Sequence, residues 1–371
     1  MNWENQLKQS IRSIDDLKNY IDLSSSETKK LNKVIERHPM CIPQYYLSLI
    51  DKNDPDDPIR AMAIPSKDEL DLHGSYDTSG EKDNTKMTGL QHKYGQTALI
   101  LSTSRCAMYC RHCFRKRMVG LANSELLNRF DDATCYVKKH KEINNVLITG
   151  GDPFVLPTSM IKSFLEKLHP IEHLSFIRFG TRVPVTLPDR IIEDNDLLDL
   201  LHTYSIKNRR LYIITQFNHP RELTEKVIDA IGLLLKAGVI INNQTVLLKG
   251  VNDSPACLAE LMNNLVSIGI NPYYVFQCRP VKRVMHHFQV PLLKGYDIVE
   301  STKKMLNGHS KRFKYIMAHK KGKMEIVGKR GDELFLKFHQ AKRPKNIGKF
   351  FSKRLSHNAG WLDEFIDESF N

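Results

Sequence analysis

Long apolar runs are absent from this chain of 371 residues. Nothing approaches the roughly 18 consecutive apolar residues of a membrane-crossing helix. The opening segment MNWENQLKQSIRSIDDLKNY is polar and mixed in charge, which excludes a secretory signal. Cysteine is scarce and odd in number: Cys41, Cys106, Cys110, Cys113, Cys135, Cys257 and Cys278 are all there are. Three of the seven fall within eight residues, so a disulfide framework is excluded and a reducing, cytoplasmic compartment is expected. No repeat of roughly 20–50 residues is visible, which removes solenoids. Apolar residues at 41% and charged residues at 26% exclude wholesale disorder. What remains is a soluble globular protein, long enough for roughly two to three average domains or for one α/β barrel.

Charge of one sign is in excess. The formal net charge is +13, and Lys311 to Arg354 holds fifteen Lys and Arg against Glu325, Asp332 and Glu333. Such a stretch can track phosphate backbones or anionic lipid, or form an ordinary solvated face. No zinc finger, helix-turn-helix or aromatic–basic RNA motif accompanies it, so neither nucleic acid nor membrane is an expected partner.

The first hundred residues read as helical and then irregular. Ile11, Leu17, Ile21, Leu31, Val34 and Ile35 recur at loose helical spacing, Ser26 suits a helix start, and Asp51–Pro58 is a loop by its Asp and Pro content. From residue 97 short apolar strands alternate with amphipathic stretches, at Thr97–Leu101, Asn145–Thr149, Leu174–Phe179, Leu211–Thr215, Val239–Asn243 and Tyr273–Gln277. This alternation predicts a parallel sheet with helical crossovers. Six units fit an α/β fold of the partial (β/α)6 TIM-like kind. The expected division is a helical or irregular region over 1–92, the barrel over 93–295 and a basic C-terminal region over 296–371. Polar groups collect just after the strands, at Gly150–Asp152, Gly180–Arg182, Asn218, His219, Gln244 and Arg279, the end where barrel active sites form.

The densest chemistry is Cys106-Ala-Met-Tyr-Cys110-Arg-His-Cys113, directly after the first of these strands. Three thiolates can ligate three irons of a [4Fe–4S] cube and leave the fourth iron open to a ligand. A structural zinc needs a fourth donor, and His112, adjacent to Cys113, is poorly placed for it. Zinc and three inert buried thiols stay as alternatives.

The segment CAMYCRHCFRKR resembles the radical S-adenosylmethionine (SAM) superfamily and, in detail, its lysine 2,3-aminomutase family. The similarity includes Ile42–Ile50 with DKNDPDDPIR, Gly150–Pro153, Arg178–Pro184, Gln216–Pro220, Asn243–Asp253 and Pro272–Cys278, in matching order over roughly residues 40–295. It implies a radical SAM barrel and an isomerase. A cluster on Cys106, Cys110 and Cys113 would bind SAM and, given an electron by a reducing donor, release a 5′-deoxyadenosyl radical. Gly150, Gly151 and Asp152 would then belong to the SAM site, with Asn243 and Gln244 as further cofactor-side candidates. The aminomutases add pyridoxal phosphate (PLP), shift an amino group between adjacent carbons of an amino-acid substrate, and assemble as homo-oligomers. Lys323 aligns with the lysine that anchors PLP, Lys93 and Tyr94 with the basic and aromatic groups near its phosphate, and Arg115 with the arginine that pairs with the substrate carboxylate.

Against the lysine enzymes this chain departs in several places. Arg279 stands where an aspartate holds the distal ammonium, and Tyr315-Ile-Met-Ala318-His319 offers no second aspartate. The glycine-rich loop before the PLP lysine shrinks to Lys320-Lys-Gly-Lys323, and Thr97 replaces an arginine that grips the phosphate. Exchanging anions for a cation favours a substrate other than lysine, with an anionic distal group such as glutamate's. Two other readings fit the same residues. One is a PLP-free relative in which Lys323 belongs to the basic tail; the other is a cluster-bearing protein whose basic C-terminal part binds nucleic acid. His219 reads as a core histidine or an acid–base group, while His286 and His287 carry no ligand spacing and read as structural, like Cys135, Cys257 and Cys278.

Overall fold

In the computed structural model, described for residues 2–362 apart from Asn123 and Asn128, twelve strands form one sheet in strict chain order. The strands β1 (Thr85–Met87) and β2 (Leu90–Tyr94) pair antiparallel, and β2 pairs antiparallel with β3 (Thr97–Thr103). A parallel run follows from β3 through β4 (Asn145–Gly150), β5 (Phe176–Gly180), β6 (Leu211–Thr215), β7 (Ile240–Leu247), β8 (Asn271–Gln277) and β9 (Lys314–His319). The last three strands, β10 (Gly322–Arg330), β11 (Glu333–Ala341) and β12 (Phe350–Arg354), return to antiparallel pairing.

All six strands expected from the sequence are present, as β3 to β8, and the fold is a partial TIM-like α/β barrel. The count of six parallel strands is one short. The helix Leu292–Lys304 crosses to β9, whose buried Tyr315, Ile316, Met317 and Ala318 lie in a stretch that reads from sequence only as basic. Strands β1 and β2 also depart from the expected helical or irregular N-terminal region. Their segments TKM and LQHKY have no clear apolar alternation, and pairing along β3 organises them.

The parallel strands are covered on both faces, so their apolar runs are nearly continuous: in β4, Val146 and Ile148 are fully buried. Crossover helices supply the cover. In Glu225–Lys236, Val227, Ala230, Ile231 and Leu234 are buried at helical spacing, and the Thr224 hydroxyl caps the start by accepting the Val227 N–H at 3.3 Å.

The N-terminal segment joins the same core. Trp3 stacks under the Arg190 guanidinium, 4.2 Å from ring centre to Cζ, and the Tyr46 hydroxyl donates to buried Glu222 at 2.6 Å. Glu69, with no exposed surface, receives Arg111 Nε at 2.8 Å and Lys116 Nζ at 2.6 Å. That triad fastens the N-terminal segment to the loop bearing the three clustered cysteines. No described helix is long and apolar enough to cross a membrane.

Candidate active site at the barrel mouth

The carboxyl ends of the parallel strands and the β10–β11 hairpin surround a cavity of about 390 Å³. The loop after β3 brings Cys106, Cys110 and Cys113 to its wall, each half-buried. Backbone contacts brace that loop: Tyr109 N–H donates to Cys41 O at 3.0 Å and Arg111 N–H to Met62 O at 2.9 Å. Burial pushes the Cys106 and Cys113 thiols up, Cys113 to about 11, and the neighbouring cysteines push the same way. Thiolates at such positions need a bound cation, so the donor set suits a metal centre. Arg182, from the turn after β5, donates through Nη1 to Cys110 Sγ at 2.8 Å and through Nη2 to the Glu222 carboxylate.

The turn after β4 meets this loop closely. Gly150 adopts φ +123°, and a Cβ there would lie 2.5 Å from Thr103 O; one on Gly151 would lie 2.2 Å from Arg105 O. Glycine therefore lets two strand ends approach, as well as leaving the mouth unobstructed. Asp152 is buried and accepts N–H from Arg182 at 2.7 Å and from Phe154 at 3.0 Å. Burial raises its carboxyl above the usual value despite those bonds.

A second group of wall residues is cationic. Lys323, on β10, has its ammonium 4.9 Å from the Tyr274 ring centre and 5.9 Å from that of Tyr94. Burial, with Arg178 and Arg279 adding repulsion, brings its amine down to about 7. Lys93, on β2, donates to His319 O at 2.8 Å and Ser79 O at 3.2 Å, and burial with Arg279 and Lys323 brings it down to about 7 also. Arg279, just past β8, lies 4.7 Å from the Phe114 ring centre and donates to the Ser79 hydroxyl. Arg115 is held from within: Nε and Nη2 each lie 3.0 Å from Glu81 Oε1, and Nη1 donates to Thr149 Oγ1 and Gly150 O at 3.3 Å. Glu81 also takes Arg117 at 2.6 Å.

The residues expected to hold cluster, SAM, PLP or substrate all line this cavity except Asn243, and Asn218 and His219, expected at the same mouth, do not line it. Asn243 is 1% exposed; its Oδ1 accepts the Phe217 N–H at 2.7 Å and its Nδ2 donates to Thr245 Oγ1 at 2.8 Å. It splints the turn after β6 and has no donor left for a cofactor. Alternation along β7 turns Gln244 to the cavity and its neighbour away.

Sequence reasoning assigns no role to Arg178, Arg182, Thr215 or Gln340, all of which line the cavity. The two arginines had a signal, since both lie in the strand-end segment Arg178–Pro184. Gln340 had none: it depends on the register that sets it opposite Lys323 across β10 and β11. Among the described residues, Asn84 Oδ1, Gln91 Nε2, His112 Nδ1, Arg178 Nε, Thr215 Oγ1 and Gln340 Oε1 are buried around this cavity without a hydrogen-bond partner. Unpaired polar atoms are costly and uncommon in a folded interior. Six around one cavity mark a ligand site.

Residues 100–262 match the family model described as the Radical SAM superfamily. A chain of Aquifex aeolicus provisionally named L-lysine 2,3-aminomutase is 38% identical over 358 residues, 96% of either chain. The L-lysine 2,3-aminomutase of Clostridium subterminale is 38% identical over 83% of this chain and 72% of its own. The chain belongs to the lysine 2,3-aminomutase family. A glutamate 2,3-aminomutase of Clostridioides difficile is similar too, 35% identical over 81% of this chain and 70% of its own. As a radical SAM enzyme of the aminomutase type, this family member works with a [4Fe–4S] cluster, SAM, a small-molecule substrate and a reductant. The lysine 2,3-aminomutases also use PLP.

Proposed function

We propose that this enzyme moves the amino group of an α-amino acid from C2 to C3, and that the substrate's distal group is anionic, as in glutamate. The excess of buried positive charge on the cavity wall carries the reading. Arg178 and Arg279 repel Lys323, and Arg279 and Lys323 repel Lys93. Among the described residues, the carboxylates on the wall are already engaged, Glu81 by Arg115 and Arg117 and Asp152 by backbone N–H groups, and leave Arg178, Arg279, Lys93 and Lys323 without one. Buried charges persist when paired, so this wall calls for bound anions. A PLP phosphate is one and a distal carboxylate is a second; lysine's distal ammonium would add another cation.

In this reading Cys106, Cys110 and Cys113 hold the cluster, with Gly150, Gly151, Asp152 and Gln244 on the SAM side. Bound there, cluster and SAM together supply the 5′-deoxyadenosyl radical that takes hydrogen from the substrate. Lys323 anchors PLP, with Lys93, Tyr94 and Arg178 about its phosphate. PLP supplies a carbonyl for the migrating nitrogen and a conjugated ring that spreads an unpaired electron. The chain's own residues position and exclude water. Tyr94 and Tyr274 flank the Lys323 amine, which is half neutral near pH 7 and so nucleophilic. Glu81 fixes the plane in which Arg115 meets the α-carboxylate, and Ser79 aims Arg279 at the distal one.

Assembly as a homo-oligomer belongs to the same reading, and light scattering on the cluster-loaded protein tests it. Residence in the cytoplasm accords with seven free cysteines. The substrate is tested by turnover with SAM, PLP and dithionite. Glutamate is expected to yield its β-isomer faster than lysine does. Arg279→Asp is expected to cut glutamate turnover at least about 30-fold, the lower end for stripping one partner from a buried charge pair. A wild-type preference for lysine overturns the substrate reading.

A further inference from the structure

His286 has no ligand spacing along the chain, yet the fold brings it to two residues far earlier in the sequence. His73 Nδ1 lies 2.5 Å from Asp71 Oδ1, and His286 Nδ1 lies 2.6 Å from Asp71 Oδ2. The imidazole centres are 4.8 Å apart, and one donor atom from each of the three residues lies within 4.8 Å of the others. We infer that Asp71, His73 and His286 form a site for a divalent transition-metal ion, which clasps the segment 71–82 onto the segment 279–288 at the rim of the cavity.

Two imidazoles and a carboxylate suit Zn²⁺, Co²⁺ or Ni²⁺ and not the oxygen-seeking Mg²⁺ or Ca²⁺. Both imidazoles now turn Nδ1 toward a single carboxylate. One cation with nitrogen and oxygen donors at about 2.0–2.2 Å replaces those two hydrogen bonds, with water completing its shell. The side chains of His73 and His286 are 74% and 52% exposed, so an ion reaches them from solvent. Nearby, His287 Nδ1 and Asp68 Oδ2 lie 3.0 Å apart and tie the stretch just before Asp71 to the segment 279–288, so the ion finds its ligands already gathered. The comparable group His92, His140 and Glu142 differs, because both His92 nitrogens are engaged, by the Tyr136 hydroxyl and Gly95 O at 3.0 Å.

What the ion fastens reaches the active site. Gly74 follows His73 at φ +94°, and a Cβ on it would lie 2.4 Å from Pro280 O. Ser75 N–H donates to Pro280 O at 3.0 Å, and Lys282 N–H returns to Ser75 O at 3.2 Å. Farther along, Ser79 receives Arg279, and Glu81 receives Arg115. The inference does not depend on which substrate Arg279 meets.

The test is equilibrium zinc binding by the cluster-loaded enzyme in competition with a chromophoric chelator. Wild type is expected to take up one equivalent more than His73→Ala/His286→Ala. Asp71→Asn keeps the shape and one oxygen acceptor, and weakens that equivalent by about tenfold or more. Equal cluster absorbance in all three proteins shows that the variants fold. Zinc is also expected to slow amide hydrogen exchange over 72–82 in wild type and not in the double variant. Equal zinc stoichiometry in wild type and double variant overturns the inference.

Discussion

Lys323→Ala is expected to abolish the proposed amino-group migration, by about a thousandfold or more, and to leave reductive cleavage of SAM in place. The lysine reaches the cavity from β10, whereas the cysteines reach it from the loop after β3, so the change touches only one half of the site. Product formation and 5′-deoxyadenosine release, measured on the same sample, separate the two. The amine's titration adds a second signature. Burial lowers it to about 7, so the ammonium dominates below pH 7 and the nucleophilic neutral form above it. Borohydride trapping of PLP on Lys323, mapped by peptide mass, therefore rises between about pH 6 and 8 and is flat beyond; an ordinary lysine amine rises only near 10.4. Cluster absorbance and SAM cleavage with no PLP trapped at any pH leave the PLP-free reading and remove amino migration.

The largest loss of stability is expected at Glu69, which does not itself line the cavity. Burial alone would raise its carboxyl, but Arg111 and Lys116 outweigh that and hold it ionised. Glu69→Gln strands the two cations. Lys116, which burial already pulls down to about 8, sheds its proton. Arg111 cannot, and its remaining partners are the backbone oxygens of Pro39 and His38. Removing one partner of a buried charge pair costs about 3–5 kcal/mol, and here the stranded residue lies between Cys110 and Cys113. Both the urea midpoint and the iron content per chain are expected to fall. The pair's contribution is fully present above the unfolded carboxylate value of roughly 4.3 and is lost as pH falls from there toward about 2. The variant is therefore expected to lose less stability than wild type on acidification over that range. A variant as stable as wild type, with a full cluster, shows that the triad is dispensable.

Much of this was legible in the residues, for identifiable reasons. Strands β3 to β8 are sheathed on both sides, so they read as short apolar runs punctuated by polar strand ends, and those ends converge on the cavity. Strands β10 and β11 carry a clean period of two, with Met324, Ile326, Leu334, Leu336 and Phe338 turned inward. In that region the density of lysine and arginine masks the period. Asn243 and Gln244 differ only in parity along β7, which residue types alone do not fix. Gln340 depends on hairpin register, and His286 on Asp71 and His73, which lie far earlier in the chain. Local sequence holds no record of either.

The strict chain order of the twelve strands bears on how the site is made. Each new strand of a nascent chain finds its neighbour already laid down, so the sheet grows at one edge without waiting for distant segments. The cysteine loop follows the third strand and is braced by residues that precede it, Cys41, Met62 and Glu69. Lys323 and Gln340 arrive two hundred residues later, at the growing edge. Synthesis thus orders the two halves of the pocket in time: the three clustered thiols are in place while the lysine is still to be translated.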